Sequence, residues 1–373
     1  MSAVTNDRDS AVRRLAFAHA KAMNVANMRR FAAAGIGPDE YLTMSAATLG
    51  ARMNLRENIF DSRQREALLR QAAAELEFVQ SRGIRPVLCT DNGYPERLAQ
   101  CDDAPAILYV KGDANLDAAH MVAIVGTRHC TAYGKSFVDR LVADIAAALD
   151  DVVVVSGLAY GVDIAAHRAA LAEGVPTVAV VAHGLNTIYP ADHRNEARRI
   201  VDAGGAVVTE YRSCDPIHRG NFLARNRIVA GLCDAVIVVE SDTKGGAMFT
   251  ARLAGAYDRE VLALPGRTSD VYSRGCNALI AGMSARMIRD VDDLADACRW
   301  QKKNAEGHQK EMVFEPDDEQ KKVLEYLRQH PSATVNDMAH ALAVPYPVLS
   351  TTLFDMEMND MVTALPGGRY API

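Results

Sequence analysis

Residues 121–128 read Met-Val-Ala-Ile-Val-Gly-Thr-Arg, an apolar run that stops at a glycine and hands over an arginine. A run apolar on both faces suits a central parallel strand with helices packed above and below. Gly126 lets the backbone turn sharply, and Tyr133 to Leu149 reads as the returning helix, apolar at Phe137, Leu141, Ile145 and Leu149. This is the first βα turn of a nucleotide-type fold, yet it is not the dinucleotide fingerprint. Thr127, Arg128 and His129 follow Gly126 in place of the G-x-G-x-x-G spacing, and the next strand ends at Val155-Ser156-Gly157 with no acid to hold a ribose. An arginine where a dinucleotide needs bare backbone points to a phosphate-bearing ligand of another kind; an ordinary surface salt bridge is the alternative.

Outward from this turn, strands at 106–110, 152–156, 177–182, 206–210, 235–240 and 261–264 alternate with helical periods. Such alternation predicts right-handed βαβ crossovers and an α/β open parallel sheet, whose ligands sit beyond the carboxyl ends of the strands. The loops there are distinctive. The second strand is followed by Ser156-Gly157-Leu158-Ala159-Tyr160-Gly161-Val162-Asp163, whose helix aims its amino end at the site. The fourth leads through Glu210 to Phe222-Leu223-Ala224-Arg225-Asn226-Arg227. The fifth leads through Glu240 to Lys244-Gly245-Gly246-Ala247 and Thr250. Glycine, hydroxyl and arginine at several strand ends predict an anion-binding rim, where amides cradle phosphates and arginines add bidentate charge.

Composition bounds the alternatives. The length of 373 residues predicts two or three domains, and 49% hydrophobic with 24% charged residues describes an ordinary globular protein. Seven scattered cysteines without a C-x-x-C pair argue against a disulfide framework and for reduced cytosol. No His or Cys cluster has ligand spacing, so neither a metal nor a cofactor is expected. No apolar run approaches the roughly 18 residues of a membrane span, and the first twenty residues carry charges without a signal-type core. The net charge of −6 is unevenly spread: +4 over 1–85, −6 over 86–300 and −4 over 301–373. Pro216 to Cys233 nevertheless holds Arg219, Arg225 and Arg227 and no acid, which predicts a basic patch on an acidic body.

Four segments emerge. Residues 1–85 show helical periods and predict a small SAM/helix-hairpin-helix-like domain. Its Ala34-Gly35-Ile36-Gly37-Pro38 turn could grip a nucleic-acid backbone, although G-x-G-P also simply ends helices and the structural reading is favoured. Residues 86–298 hold the sheet, and 299–316 read as a polar linker. Residues 317–373 read as helices at 317–330, 334–342 and 347–358 plus a hairpin turning at Gly367-Gly368, a winged-helix-like domain. Pro331 to Asn359 carries Asp337, Asp355 and Glu357 and no Lys or Arg, which favours protein contact or a spacer role over groove reading.

At the strand-end loops the sequence closely resembles the DNA-processing protein A (DprA/Smf) family. The matching residues, in family order, include Tyr94-Pro95, Leu108-Tyr109-Val110-Lys111-Gly112, Ile124-Val125-Gly126-Thr127-Arg128, Ser156-Gly157-Leu158-Ala159, Tyr189-Pro190, Arg225-Asn226-Arg227-Ile228, Thr250-Ala251, Pro265-Gly266 and Asn277 with Leu279-Ile280. The resemblance implies an extended Rossmann-like domain between a helical and a winged-helix module. It implies a homodimer that binds single-stranded DNA without strong sequence preference and helps load RecA onto it during natural transformation. By position it places Arg128 in the DNA pocket, Gly126 and Thr127 at its floor, and Arg225, Asn226 and Arg227 on the rim. Where the family usually has Ser-Gly-Ser, this chain has Gly245-Gly246-Ala247, which loses a hydroxyl contact; Lys244 is positioned to replace charge.

The expected phosphate-binding set is therefore Gly126, Thr127, Arg128, Ser156, Gly157, Ala159, Gly161, Arg225, Asn226, Arg227, Lys244, Gly245, Gly246 and Thr250, with Phe222 and Tyr160 as candidate stacking surfaces. The competing class is an enzyme of the nucleotide phosphoribohydrolase type, for which Glu210 and Glu240 end strands and Asp163 and His167 lie one helical turn apart. Asp163 reads better as a helix-start residue and His167 as a helix-face residue, so a binding protein without catalysis is favoured. A pure adaptor is the third possibility.

Overall fold

The run read first becomes an interior strand of a nine-stranded sheet. In chain order the strands are β1 (Arg85–Leu88), β2 (Ile107–Gly112), β3 (His120–Val125), β4 (Val152–Ser156), β5 (Thr177–Val180), β6 (Ala206–Thr209), β7 (Ala235–Val238), β8 (Glu260–Ala263) and β9 (Arg286–Met287). Their spatial order is β1-β2-β6-β5-β4-β3-β7-β8-β9. The computed structural model describes residues 2–21, 23–54, 62–303, 316–331, 333–359, 361–365 and 368–372.

From β6 through β9 neighbouring strands run parallel, with Val122 opposite Val154 and Ile124 opposite Ile237. Side chains alternate between two cores, as pleating requires. Met121, Ala123 and Val125 share one with Val153, Val155, Val236 and Val238; Val122 and Ile124 share the other with Val154 and Ile237. Both faces of β3 are thus buried from Met121 to Val125, which is why these five residues are all apolar. One edge of this mostly parallel sheet is antiparallel. There β1 and β2 are antiparallel to each other, and β2 is antiparallel to β6. No crossover helix of normal length lies between β1 and β2. The turns around Asn92-Gly93 and Tyr94-Pro95 simply bring the chain back.

Among the described residues, five helices precede the sheet: α1 (Ser2–Ala18), α2 (Val25–Ala33), α3 (Pro38–Thr43), α4 (Ala46–Met53) and α5 (Ser62–Arg82). Leu15, Phe17, Phe31, Tyr41, Leu49 and Leu76 form a core that continues into Ile107 and Tyr109 of β2. His19 also bonds the Tyr109 hydroxyl at 2.8 Å, and the Ser213 amide donates to Glu75. The stretches on either side of residue 85 accordingly share one compact unit, Met1–Lys303. Within it the Gly35–Gly37 turn closes α2. Gly35, at φ +65°, donates to the Ala32 carbonyl, Ile36 to that of Phe31 at 2.9 Å, and Gly37 to the Glu40 carboxylate at 3.0 Å. Its amides are engaged inside the protein, in the manner of a helix cap.

The remaining helices of this unit are α6 (Glu96–Ala99), α7 (Ala132–Ala148), α8 (Val162–Ala172), α9 (Arg194–Asp202), α10 (Arg219–Leu232), α11 (Gly246–Ala256), α12 (Arg274–Ala281) and α13 (Val291–Cys298). Helix α7 supplies Phe137, Leu141 and Ile145 to one face of the sheet, while α10 and α11 supply Ile228, Leu232 and Ala251 to the other.

The second unit, Asn304–Ile373, is a winged-helix domain. Its helices are α14 (Asp318–Gln329), α15 (Val335–Leu342) and α16 (Tyr346–Met358), with β10 (Ala333–Thr334), β11 (Val362–Leu365) and β12 (Arg369–Pro372) in the order β10-β12-β11. Capping boxes at Asp317 with Gln320 and Thr334 with Asp337 start two of the helices. Leu327, Met338, Leu349, Leu353 and Met356 fill the core. Most of the 299–316 linker and Gly367 of the hairpin turn lie outside the described residues. No described helix is long and apolar enough to cross a membrane.

Candidate functional site

The chain leaves β3 toward β4 on one side and resumes at β7 on the other, so strand order reverses beside β3. Loops leaving β3, β4 and β7 converge there with α10 on a cavity of about 350 Å³. This is the crevice in which open α/β sheets place ligands. Ten of the fourteen expected residues line it: Gly126, Thr127 and Arg128 from the β3 loop, Gly157 and Ala159 from the β4 loop, Arg225 and Asn226 from α10, and Gly245, Gly246 and Thr250 at the start of α11.

Each wall has a physical cause. The Thr127 amide donates to the Glu240 carbonyl at 2.6 Å, and the Val162 amide donates to the Thr127 carbonyl at 3.1 Å, so the three loops are tied together. Gly161, at φ +79°, lets them meet: a Cβ there would stand 2.1 Å from the Thr127 carbonyl oxygen. Arg128 is left exposed at the mouth without an ion pair among the described residues, which removes the salt-bridge alternative. Helix α11 starts behind Gly245 with no side-chain cap, so its leading amides and positive end lie at the cavity wall.

The floor is a buried arginine. Arg225 is 5% exposed, its guanidinium donates to the Val180 carbonyl, and its Nε has no hydrogen-bond partner among the described residues. Burial lowers its pKa, and the Asp163 carboxylate opposes that shift. Asp163 lines the same wall and accepts from the Ala159 amide at 3.3 Å. Burial raises its pKa, with Arg225 pulling the other way. The result is a fixed cationic floor with the Asp163 carboxylate beside it and Asp242 also on the lining, below an arginine at the mouth that has no ion pair among the described residues.

Four expected residues do not line the cavity. Ser156 is fully buried and donates to the Ile124 carbonyl at 2.7 Å, joining β4 to β3. Gly161 stands behind the Thr127-Arg128 loop as its spacer. Arg227 pairs with Glu210, and Lys244 is exposed on the β7 loop. Conversely, His129, Tyr272, Ser241, Asp242 and Leu223 line the cavity without having been singled out. Phe222 also lines it and meets Tyr189 edge-on at 5.6 Å; Tyr160 is held by Asp192 at 2.8 Å.

The two strand-end glutamates are engaged elsewhere. Glu240 is buried and accepts from the Thr131 amide at 2.8 Å and from the Thr131 hydroxyl, anchoring the start of α7. Glu210 holds Arg227, and burial raises its pKa. His167 is fully buried against Thr177 at 2.8 Å, and burial lowers its pKa to about 3. None of the three lines the cavity. Among the described residues no three His, Cys, Asp or Glu side chains could hold a metal ion, and none of the seven cysteines is disulfide-bonded.

The family model for DNA recombination-mediator protein A matches residues 85–299, and that for the DprA winged helix domain matches 311–368. The chain is 40% identical over 242 residues to the putative DNA processing protein DprA of Mycobacterium tuberculosis, covering 61% of this chain and 60% of that protein. It is 32% identical over 282 residues to protein Smf of Escherichia coli, covering 74% of each. Among solved structures, DNA processing protein A of Streptococcus pneumoniae superposes with a TM-score of 0.56 at 28% identity, over 73% of this chain and 97% of that one. The Helicobacter pylori protein, whose structure describes a single-stranded DNA binding mode, superposes with a TM-score of 0.51 at 33% identity, over 57% and 94%.

Proposed function

The chain belongs to the DNA recombination-mediator protein A family, and from that premise we propose that it binds single-stranded DNA, without strong sequence preference, in the strand-end cavity. The observation that carries this reading is Arg128, an exposed cation without an ion pair among the described residues, at the mouth of a cavity floored by Arg225 and walled by the amino end of α11. Phosphates of a flexible strand meet charge at Arg128 and the amide of Gly246 at the start of α11, while Asn226 presents its amide to the same space; the Gly245 amide is already bonded to the Asp242 carbonyl at 2.9 Å. Ser156, Gly161 and Arg227 support this site from behind, and Lys244 adds charge outside it.

In the same reading the protein works as a homodimer in the cytoplasm and helps load RecA onto the bound strand during DNA uptake and transformation. The recombination-mediator character of the family supports that step. We assign no catalytic role, because Glu240 and Glu210, the carboxylates a phosphoribohydrolase would need, are engaged with Thr131 and Arg227. Fluorescence anisotropy of a labelled oligo-dT strand, with duplex as competitor, tests the proposal: wild type binds the single strand preferentially and Arg128→Ala does not. Equal binding by the two proteins would move the site elsewhere.

A further inference from the structure

We propose that His129 and Tyr272 form a base-stacking ledge at the cavity mouth, a subsite that takes one nucleobase and favours a purine. The inference rests on reading the cavity as a single-strand site. Both residues line the cavity beside Arg128. Their rings lie near parallel, at 25°, with centroids 6.0 Å apart. His129 follows Arg128 directly, and its amide is fixed to the Thr127 hydroxyl at 3.1 Å, so cation and ring leave the same turn. Tyr272 arrives from beyond β8. Its carbonyl accepts from the Ser241 amide at 2.6 Å, and the Ser241 carbonyl accepts from the Gly275 amide at 2.9 Å, which pins the ring's segment to the β7 loop.

This pair differs from the two other stacked ring pairs among the described residues: Tyr326 and His330 lie one turn apart on α14, with the His330 ring bonded to the Tyr326 carbonyl at 3.2 Å. His19 and Tyr109 are joined by a hydrogen bond, with the tyrosine buried in the core. His129 is exposed, Tyr272 is half-buried, and neither ring has a side-chain hydrogen bond among the described residues. An aromatic face open to solvent, one residue from an arginine that has no ion pair among the described residues, matches a nucleotide's own layout of phosphate followed by base. Stacking accepts any base, because every base has a π-face, and gains most from the larger purine.

The test uses the full chain and labelled oligonucleotides of equal length, dA, dT and dA with abasic residues inserted. The His129→Ala, Tyr272→Ala double variant is expected to bind oligo-dA about tenfold more weakly than wild type. Its salt dependence stays as steep as wild type, because stacking displaces no counterions. Wild type discriminates dA from the abasic strand and from dT; the double variant loses that discrimination, and His129→Phe and Tyr272→Phe recover it. A double variant that still discriminates as wild type does, or that loses affinity together with salt dependence, overturns the ledge. A wild type that binds none of the strands removes the ledge together with the single-strand reading, and that outcome is distinct from a ledge that fails alone.

Discussion

The guanidinium of Arg225 occupies the space that a side chain at position 157 would need: a Cβ on Gly157 would stand 2.2 Å from Nη1 and 2.5 Å from the guanidinium carbon. The glycine in the β4 loop therefore makes room for a buried arginine that floors the cavity. Gly157→Ala is expected to push Arg225 off the Val180 carbonyl and to lower stability by about 1–3 kcal/mol, the usual cost of stranding a buried donor. Urea denaturation of the variant measures this. An unchanged midpoint would show that the arginine has room to move.

Arg128 is the converse case, an exposed cation with no ion pair among the described residues. Arg128→Ala is expected to leave stability within about 0.5 kcal/mol of wild type. Its single-strand affinity should fall, and the slope of log K against log salt should be shallower by about 0.7 for each phosphate contact removed. Titrations at several salt concentrations give the slope. A loss of affinity with an unaltered slope would mean that Arg128 shapes the cavity without touching phosphate.

The architecture is legible where burial leaves a pattern in the sequence. β3, β4 and β7 are apolar at consecutive positions because both faces are covered, and the winged-helix helices carry their own capping residues. β1 is hidden by Pro86, which an edge strand tolerates, and two-residue β9 is too short to show periodicity. In the site, Gly126 to Arg128 are readable because they directly follow a strand. Arg227 is two residues from Arg225, and residues two apart on a helix do not share a face, so Glu210 holds one while the other floors the cavity. Ser156 ends a strand, and only pairing with β3 turns its hydroxyl toward the Ile124 carbonyl. The His129 and Tyr272 rings meet across a long stretch of chain through backbone bonds at Ser241, for which no local sequence signal exists.

Glu240 separates the binding and enzyme readings. Its carboxylate accepts from both the amide and the hydroxyl of Thr131, at the first turn of α7. Glu240→Ala strands both donors and is expected to lower stability by about 1–3 kcal/mol. No free base should be released from nucleoside monophosphates by either protein. Thermal unfolding and a base-release assay check the two halves. Unaltered stability with loss of a base-releasing activity present in wild type would instead make Glu240 catalytic.

The buried His167 and the half-buried His19 predict how the fold responds to acid. Burial lowers His167 to about 3 and His19 to about 4, from an ordinary value of 6.5. The folded protein holds both neutral in a range where the unfolded chain is already protonated. Their contribution is therefore fully present above pH 6.5 and is lost as the pH falls toward 4. Because the unfolded state binds more protons in this window, each histidine makes stability decline by up to about 1.4 kcal/mol per pH unit. His167→Gln retains an amide able to bond the Thr177 hydroxyl but takes up no proton. Urea denaturation at intervals between pH 7 and 5 is therefore expected to show a shallower slope in the variant, the difference growing toward one proton as the pH approaches 5. An unchanged slope would place the acid sensitivity in other groups, because the variant keeps the packing and removes only the titration.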